Sequence, residues 1–284
     1  MANRTFGGVT LDEFAHRMAV FARDLIRDTY SPTGMRSMRK ADNTPVTPVD
    51  LAISHEIRKW LKKFHPEAII IDEETKFPER NSCGGLEAVI DPLDGTLSYI
   101  LGRADSVYAF AFMQNFVPIH ATILAALYYD INQRAREYTA TQGMGAFLSG
   151  CPISVSPKKS GQRIMLAVSR AEDRPFDGFH LAQELWSNEM VVETLRSVSH
   201  ECAMLASGHI DGVIFPWGGL HDAVAGDLLV REAGGVTSDL TGQPLDFSKN
   251  RVISKNGLPG FIMANNRETF AILLEAVQKH RWKS

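Results

Sequence analysis

The run Val89-Ile90-Asp91-Pro92-Leu93-Asp94-Gly95-Thr96 sets an apolar strand directly against two carboxylates, a proline and a glycine. The strand delivers Asp91, Pro92 stiffens the turn that follows, and Asp94 returns to the same neighbourhood three residues later. Gly95 lets backbone approach a ligand closely. If a helix begins there, Gly95 and Thr96 offer amide N–H groups and a hydroxyl to an anion. The same residues also make an ordinary Asp-Pro-x-Asp-Gly turn, which many folds use for conformational reasons alone. An EF-hand loop is excluded, because its alternating acidic positions and closing Glu are missing.

Two further segments share this design. Upstream, Ile70-Ile71-Asp72-Glu73-Glu74-Thr75 puts three acids at the C-terminal edge of an apolar strand. Downstream, Gly218-Gly219-Leu220-His221-Asp222-Ala223-Val224-Ala225-Gly226 puts Asp222 at the start of an apolar helix. Taken singly, these read better as a solvated strand end and a helix N-cap. Together they bring Glu73, Asp91, Asp94 and Asp222 to strand or helix junctions, where layered α/β structures bind ligands. Oxygen donors without a His or Cys cluster select hard cations, Mg²⁺ before Zn²⁺. Carboxylates holding more than one Mg²⁺ beside amide donors is what a metal-assisted phosphoryl hydrolase needs.

Around these segments the periodicity predicts an α+β chain. Thr10 caps a first helix with Leu11, Phe14, Met18 and Leu25 at helical spacing, and Thr47 and Pro48 open a second that runs to about Phe64. Ala68–Ile71, Glu87–Ile90 and several segments from Val107 to Tyr138, broken at Gln114–Asn115 and Asp130–Gln133, read as strands. With no long helix between them they suggest antiparallel pairing. Gly143, Gly145 and Gly150 mark a turn-rich patch. From Ile164 onward strands and helices alternate, which favours a layered α/β half. The expected division is 1–150, a β-rich half carrying most metal ligands, and 151–284, an alternating half carrying Asp222 and the substrate pocket.

Composition excludes several classes. A net charge of −3 over 284 residues gives no broad basic face for nucleic acid. Three distant cysteines, Cys83, Cys151 and Cys202, fit reduced thiols in a cytoplasmic protein better than a disulfide framework. Arg23, Asp24, Arg27 and Asp28 interrupt the most apolar N-terminal stretch well short of the roughly eighteen residues of a membrane helix.

At these residues the sequence resembles the inositol monophosphatase family of magnesium-dependent, lithium-sensitive phosphomonoesterases. An acidic pair, then Asp-Pro-hydrophobic-Asp-Gly-Thr, then Asp-x-x-Ala-Gly recur in order from about Val46 to Gly235. The resemblance implies a stacked α-β-α-β-α sandwich with the site between its halves, and a homodimer. It implies that Glu73, Asp91 and the carbonyl of Leu93 hold one Mg²⁺, that Asp91, Asp94 and Asp222 hold a second, and that a third binds near Glu73. Gly95 and Thr96 would bind phosphate, Thr96 and Glu73 would orient the attacking water, and Thr47 and Asp50 would assist. The substrate implied is a small phosphorylated metabolite.

Several positions depart from the family pattern. His221 stands where a Trp usually precedes the metal-binding Asp. Leu97-Ser98-Tyr99 replaces Thr-Asn-Phe, and Arg196-Ser197-Val198 aligns with a Gly-Ser-Ala segment against the sugar ring. Phe215 falls where a Glu recognises inositol hydroxyls. Losing that acceptor and gaining Arg196 moves the pocket toward a less hydroxylated or more anionic substrate. Ser98-Tyr99-Ile100-x-Gly102 resembles the histidinol-phosphatase branch, in which Glu201 would meet an amine, although a first-turn helix acid is the simpler reading of Glu201. A nucleotide 3′-phosphatase, with Arg196 reading a second phosphate, and a weakly active regulatory family member are the other expectations.

Overall fold

Both long N-terminal helices begin where their capping residues predict. In the computed structural model, which describes residues 5–6, 9–35, 37–40, 44–79, 84–129, 135–158, 163–166, 177–217, 219–249 and 260–281, Thr10 accepts from Glu13 N to open α1 (Leu11–Thr29). Thr47 and Asp50 form a reciprocal capping box at the head of α2 (Pro48–Phe64). Cys83, Gly218, residues 130–134 and 167–168 lie outside the described residues.

Short strands β1 (Thr5–Phe6), β2 (Val9–Thr10), β3 (Met38–Arg39) and β4 (Pro45–Val46) flank these helices. The first large sheet follows, with β5 (Ile69–Asp72), β6 (Leu86–Asp94), β7 (Val107–Gln114), β8 (Val117–Tyr129), β9 (Ala135–Thr141), β10 (Gly145–Leu148) and β11 (Cys151–Ile153). A one-turn helix, α3 (Thr96–Ile100), leaves the end of β6. The second sheet is built from β12 (Arg163–Leu166), β13 (Val191–Glu193), β14 (Gly212–Phe215), β15 (Val236–Asp239) and β16 (Phe261–Ala264). Its helices are α4 (Gly178–Ser187), α5 (Val198–Ala206), α6 (Leu220–Glu232) and α7 (Arg267–Lys279).

The first sheet runs β11-β10-β9-β8-β7-β6-β5. Every pairing is antiparallel except β5 with β6. The second runs β13-β12-β14-β16-β15. There β12 is parallel to β13 and β14, while β16 is antiparallel to β14 and β15. Strand–helix alternation thus does not make the second sheet wholly parallel. Strand β15 escaped the pattern because it follows Gly234-Gly235 and carries one large apolar residue, Val236. Strand β10 lay hidden in the turn-rich patch, a four-residue strand between Gly143 and Gly150.

Alternation along the strands decides the layers. On β7, Tyr108, Phe110 and Phe112 pack with α1 and α2. Its other face, Val107, Ala109, Ala111 and Met113, packs with α5 and α6. On β16, Phe261 and Met263 face that same helix layer, whereas Ile262 and Ala264 face α4 and α7. The result is the α-β-α-β-α sandwich. Because α6 is covered by a sheet on either side, it is apolar nearly all round, with Ala223 to Val230 buried. No helix among the described residues is long and apolar enough to cross a membrane.

Gly226 sets the spacing of this middle layer. A Cβ there would lie 2.6 Å from Cys202 Sγ and 2.7 Å from Cys202 Cβ, so α5 and α6 touch through it. Gly226→Ala is therefore expected to destabilise the protein by about 1–3 kcal/mol through overpacking. Urea unfolding checks this, and an unchanged midpoint contradicts the close-approach argument.

Candidate metal centre

The register of the first sheet brings Glu73 beside Asp91. Strand β5 pairs with β6 so that Asp72 lies opposite Ile90, and Glu73 N donates to Ile90 O at 3.2 Å. Residues Asp91 and Asp94 pose a parity problem, since positions three apart on a regular strand face opposite sides. The β6–β7 register shifts between Asp91 and Asp94, at Pro92-Leu93, where a proline without an N–H is tolerated. Val89 packs toward α5 and α6 and Ile90 toward α1 and α2, yet Leu93 also packs toward α1 and α2. The bulge has reset the alternation. Asp94 therefore turns to the same side as Asp91, toward the layer that holds α6.

From that layer Asp222, in the first turn of α6, completes the cluster, its Oδ2 accepting Gly219 N at 2.7 Å. Oxygens of Asp91, Asp94 and Asp222 lie within 4.8 Å of one another. Glu73, whose backbone is held on Ile90 next to Asp91, interacts electrostatically with this triangle. Three of the four predicted carboxylates thus converge, with Glu73 adjoining them.

Their electrostatics describe a site that lacks a counter-charge. Burial, then repulsion from Glu73, Asp94 and Asp222, pushes Asp91 well above the usual carboxylate range. Burial and Asp222 raise Asp94 to about 7, against the opposing hydrogen bond from Ser199 N. Asp222 is raised by burial too, with His221 and Gly219 N–H pulling the other way. Burial also works upward on Glu73, but His221 and Lys40 outweigh it and hold Glu73 below its ordinary value. Hard oxygen donors that cannot all ionise unaided suit divalent cations such as Mg²⁺.

A second network adjoins the carboxylates. Asp50 is fully buried; its Oδ2 accepts the Thr47 amide at 2.8 Å and the Thr47 hydroxyl. Its Oδ1 accepts the Thr96 hydroxyl at 3.1 Å. Thr96 Oγ1 also lies 3.0 Å from the carbonyl of Leu93, which ties this network to the bulge. Burial raises Asp50 above its ordinary value. Gly95 caps α3 at φ 82°, and a Cβ there would approach Ser197 Cβ at 3.0 Å and Arg196 O at 3.2 Å. Only glycine suits that conformation and that approach.

The residues expected to touch substrate divide. Ser197 is buried with its hydroxyl on Asp94 Oδ2 at 3.2 Å, so it holds one of the clustered carboxylates. Arg196 is exposed, at φ 62°, and its carbonyl lies beside Gly95. Phe215 is 6% exposed, with its ring centroid 4.4 Å from that of Trp217 and 5.7 Å from that of Phe261. Glu201 is buried in the first turn of α5, accepting Leu195 N at 2.8 Å and Thr194 Oγ1 at 3.3 Å. It anchors the 194–197 loop.

Sequence reasoning missed Ser199, whose amide donates to Asp94 Oδ2 at 2.5 Å, and Lys40, whose Nζ lies 2.8 Å from both Glu73 Oε1 and Glu74 Oε1. A backbone amide carries no residue signature, and a lysine in a polar stretch gives no spacing to read. Asp72, by contrast, is structural. It accepts from Ser54 Oγ at 2.5 Å and faces Arg58 at 3.8 Å.

A family model described as the inositol monophosphatase family matches residues 9–281. The chain belongs to that family. It is 32% identical over 236 residues to the Nus factor SuhB of Escherichia coli (strain K12), covering 80% of this chain and 84% of that protein. An inositol monophosphatase of Dictyostelium discoideum is 28% identical over 259 residues, covering 87% and 92%. The solved structure of a Thermotoga maritima IMPase superposes with a TM-score of 0.77 at 20% identity, covering 94% and 96%. Inositol monophosphatase membership accounts for the layered fold and for the order of the acidic segments.

The raised acids make a prediction for metal-free protein. When folded, Asp94 and Glu74 keep their protons up to about pH 7 and Glu201 up to about pH 8. Unfolded, they release them near pH 4. Their contribution to stability is therefore full below about pH 4, declines as pH rises from there, and is gone above about pH 7 to 8. Burial holds His65 and His200 below their ordinary value, which acts the other way but is complete by about pH 7. Melting in EDTA should thus fall as pH rises toward about 8, most plainly above about pH 6.5 where the histidines no longer oppose it, and saturating Mg²⁺ should remove most of the fall. A flat EDTA profile by scanning fluorimetry contradicts this electrostatic picture.

Proposed function

We propose that this protein is a phosphatase of small phosphomonoesters that works with two divalent cations, Mg²⁺ being the first choice. The observation that carries the reading is the buried triangle of Asp91, Asp94 and Asp222 standing beside the Asp50–Thr96 pair. Glu73, Asp91 and the Leu93 carbonyl would hold one ion, and Asp91, Asp94 and Asp222 the other. Bound there, the cations supply Lewis acidity, making water more acidic and screening phosphoryl charge. The third cation of the family pattern finds a competitor. Lys40 already carries positive charge against Glu73 and Glu74, and an added ion would have to displace it.

The chain's own residues do the rest. Thr96 gives its hydroxyl hydrogen inward, to Asp50 or Leu93 O, which leaves its outward lone pair to accept a hydrogen from water. That contact orients water for in-line attack. Asp50, whose proton affinity burial raises, then receives the proton through Thr96. The N–H groups of Gly95 and Thr96, at the head of α3, face the developing phosphoryl charge. No covalent enzyme intermediate is needed.

For the substrate, two features argue against bare inositol phosphate. Phe215 is an apolar ring at the position where the family pattern has a hydroxyl acceptor, and the exposed Arg196 adds a cationic residue to the loop whose backbone meets Gly95. We favour a substrate with a second anionic group. A second reading, a role in a transcription complex with little turnover, is supported by the 32% identity to the Nus factor SuhB.

Phosphate release with and without Mg²⁺ decides between them over inositol 1-phosphate, histidinol phosphate, fructose 1,6-bisphosphate and adenosine 3′,5′-bisphosphate. Magnesium-dependent turnover with a bisphosphate preferred is the expected result. Intact substrates alongside calorimetric Mg²⁺ binding would favour the second reading. Asp91→Asn should abolish turnover without unfolding the protein. Thr96→Ala and Asp50→Asn should each slow it by about 10²–10⁴-fold. Substantial activity in Asp91→Asn would refute the assignment.

A further inference from the structure

The head of α5 carries a carboxyl that the proposed mechanism leaves idle. Glu201 is 1% exposed, its Oε1 accepting Leu195 N at 2.8 Å and the Thr194 hydroxyl at 3.3 Å. Its Oε2 is buried and has no hydrogen-bond partner among the described residues. An acid placed in a first turn only to complement the helix dipole would stand in water. Burial pushes Glu201 up to about 8, so near neutral pH it is an uncharged acid.

What this carboxyl holds is a strained loop. Arg196 sits at φ 62°, in the left-handed region that such a residue keeps only where its surroundings over-determine it. The restraints come from three elements. Glu201 of α5 holds Leu195 N, and Leu195 O accepts Ser98 Oγ of α3 at 3.3 Å. Thr194 Oγ1, which donates to Glu201, accepts Arg196 N at 3.3 Å. Ser197 gives its hydroxyl to Asp94, at the end of β6, instead of capping α5. The Arg196 carbonyl lies 3.2 Å from where a Cβ on Gly95 would be. Its side chain, by contrast, is exposed. The loop thus fixes the backbone of Arg196 against the Gly95 turn and leaves the guanidinium unburied.

We infer that Glu201 is a positioning residue which, through Leu195 and Thr194, sets Arg196 to receive a second phosphate of the substrate. The inference rests on the phosphatase reading above and assigns recognition of the second anionic group to this loop. A guanidinium offers a planar fork of donors that matches a phosphate. Fixing its backbone in advance lowers the ordering cost that binding must meet. Glu201 itself acts through the loop and stands apart from the Thr96–Asp50 pair, so its loss falls on KM rather than on kcat.

The test is steady-state kinetics of the full chain with Mg²⁺ on two substrate pairs, each differing by one phosphate. They are adenosine 3′,5′-bisphosphate with adenosine 3′-phosphate, and fructose 1,6-bisphosphate with fructose 1-phosphate. The wild type is expected to prefer a bisphosphate to its monophosphate. Glu201→Ala should raise KM for that bisphosphate about tenfold, with kcat and the monophosphate KM little changed. Glu201→Gln keeps a carbonyl oxygen for Leu195 N and Thr194 and should restore the wild-type KM. Arg196→Asn, whose new residue tolerates the left-handed region, should lose the preference, and adding Glu201→Ala should change nothing further. A fall in kcat with KM unmoved in Glu201→Ala overturns the inference. So does a Glu201→Gln as poor as the alanine variant, an additive double variant, or a wild type without bisphosphate preference. Each of these leaves the phosphatase reading standing. A wild type that hydrolyses none of the four overturns the inference too, and if inositol 1-phosphate and histidinol phosphate also stay intact the phosphatase reading falls with it. Should Glu201→Ala fail to fold, Ser98→Ala, which removes the opposite hold on Leu195, carries the same expectation.

Discussion

Three carboxylates meeting in one buried corner repel one another, and much of this structure is arranged around that repulsion. Asp91, Asp94 and Asp222 come within 4.8 Å of one another, the first two buried and Asp222 partly so. Burying such a cluster costs several kcal/mol unless its charge is neutralised. Part of the relief is internal. Ser199 N and Ser197 Oγ serve Asp94, Gly219 N serves Asp222, and Lys40 serves Glu73. The remainder falls to protons in the bare protein and to cations in the loaded one.

The corner exists only because two sheets share a helix layer. The first sheet contributes Asp91 and Asp94 at the end of β6 and Glu73 just beyond β5. The shared layer contributes Asp222 from α6 and Ser199 from α5, and it closes up through the contact of Gly226 with Cys202. The 194–197 loop is pinned by Glu201 from within and presses on Gly95 from outside. Stability of the middle layer and geometry of the site are thus one matter, since a shift of α6 moves Asp222 relative to Asp91.

Membership of the inositol monophosphatase family fixes the frame, while the side chains around the frame are this chain's own. Phe215 stacks with Trp217 rather than offering an acceptor, Lys40 bridges Glu73 and Glu74, and His221 lies over Gly219. Each changes the charge or the polarity of the site without moving the acids. On the proposed reading, reaction chemistry and substrate choice would fall to different residues, as expected where function is grafted onto a shared fold.

Local signals were legible because they act over a few residues. Thr10 and Thr47 cap the helices that their sequences announce, and Pro48 sits at the first position of α2. Continuous apolar runs marked strands buried on both faces, and Asp-Pro-Leu-Asp-Gly marked the place where β6 ends. Strand β15 was not legible, because a short strand with one large apolar residue takes its conformation from its neighbour β16. By itself, then, the sequence determined the caps, most of the strands and the segments that carry the acids. Tertiary structure decided that a bulge at Pro92-Leu93 turns Asp94 to the side of Asp91 and that Ser199, 105 residues away, donates to it. It also decided that Lys40 reaches Glu73. Such pairings depend on strand register and layer stacking, which no window of neighbouring residues encodes.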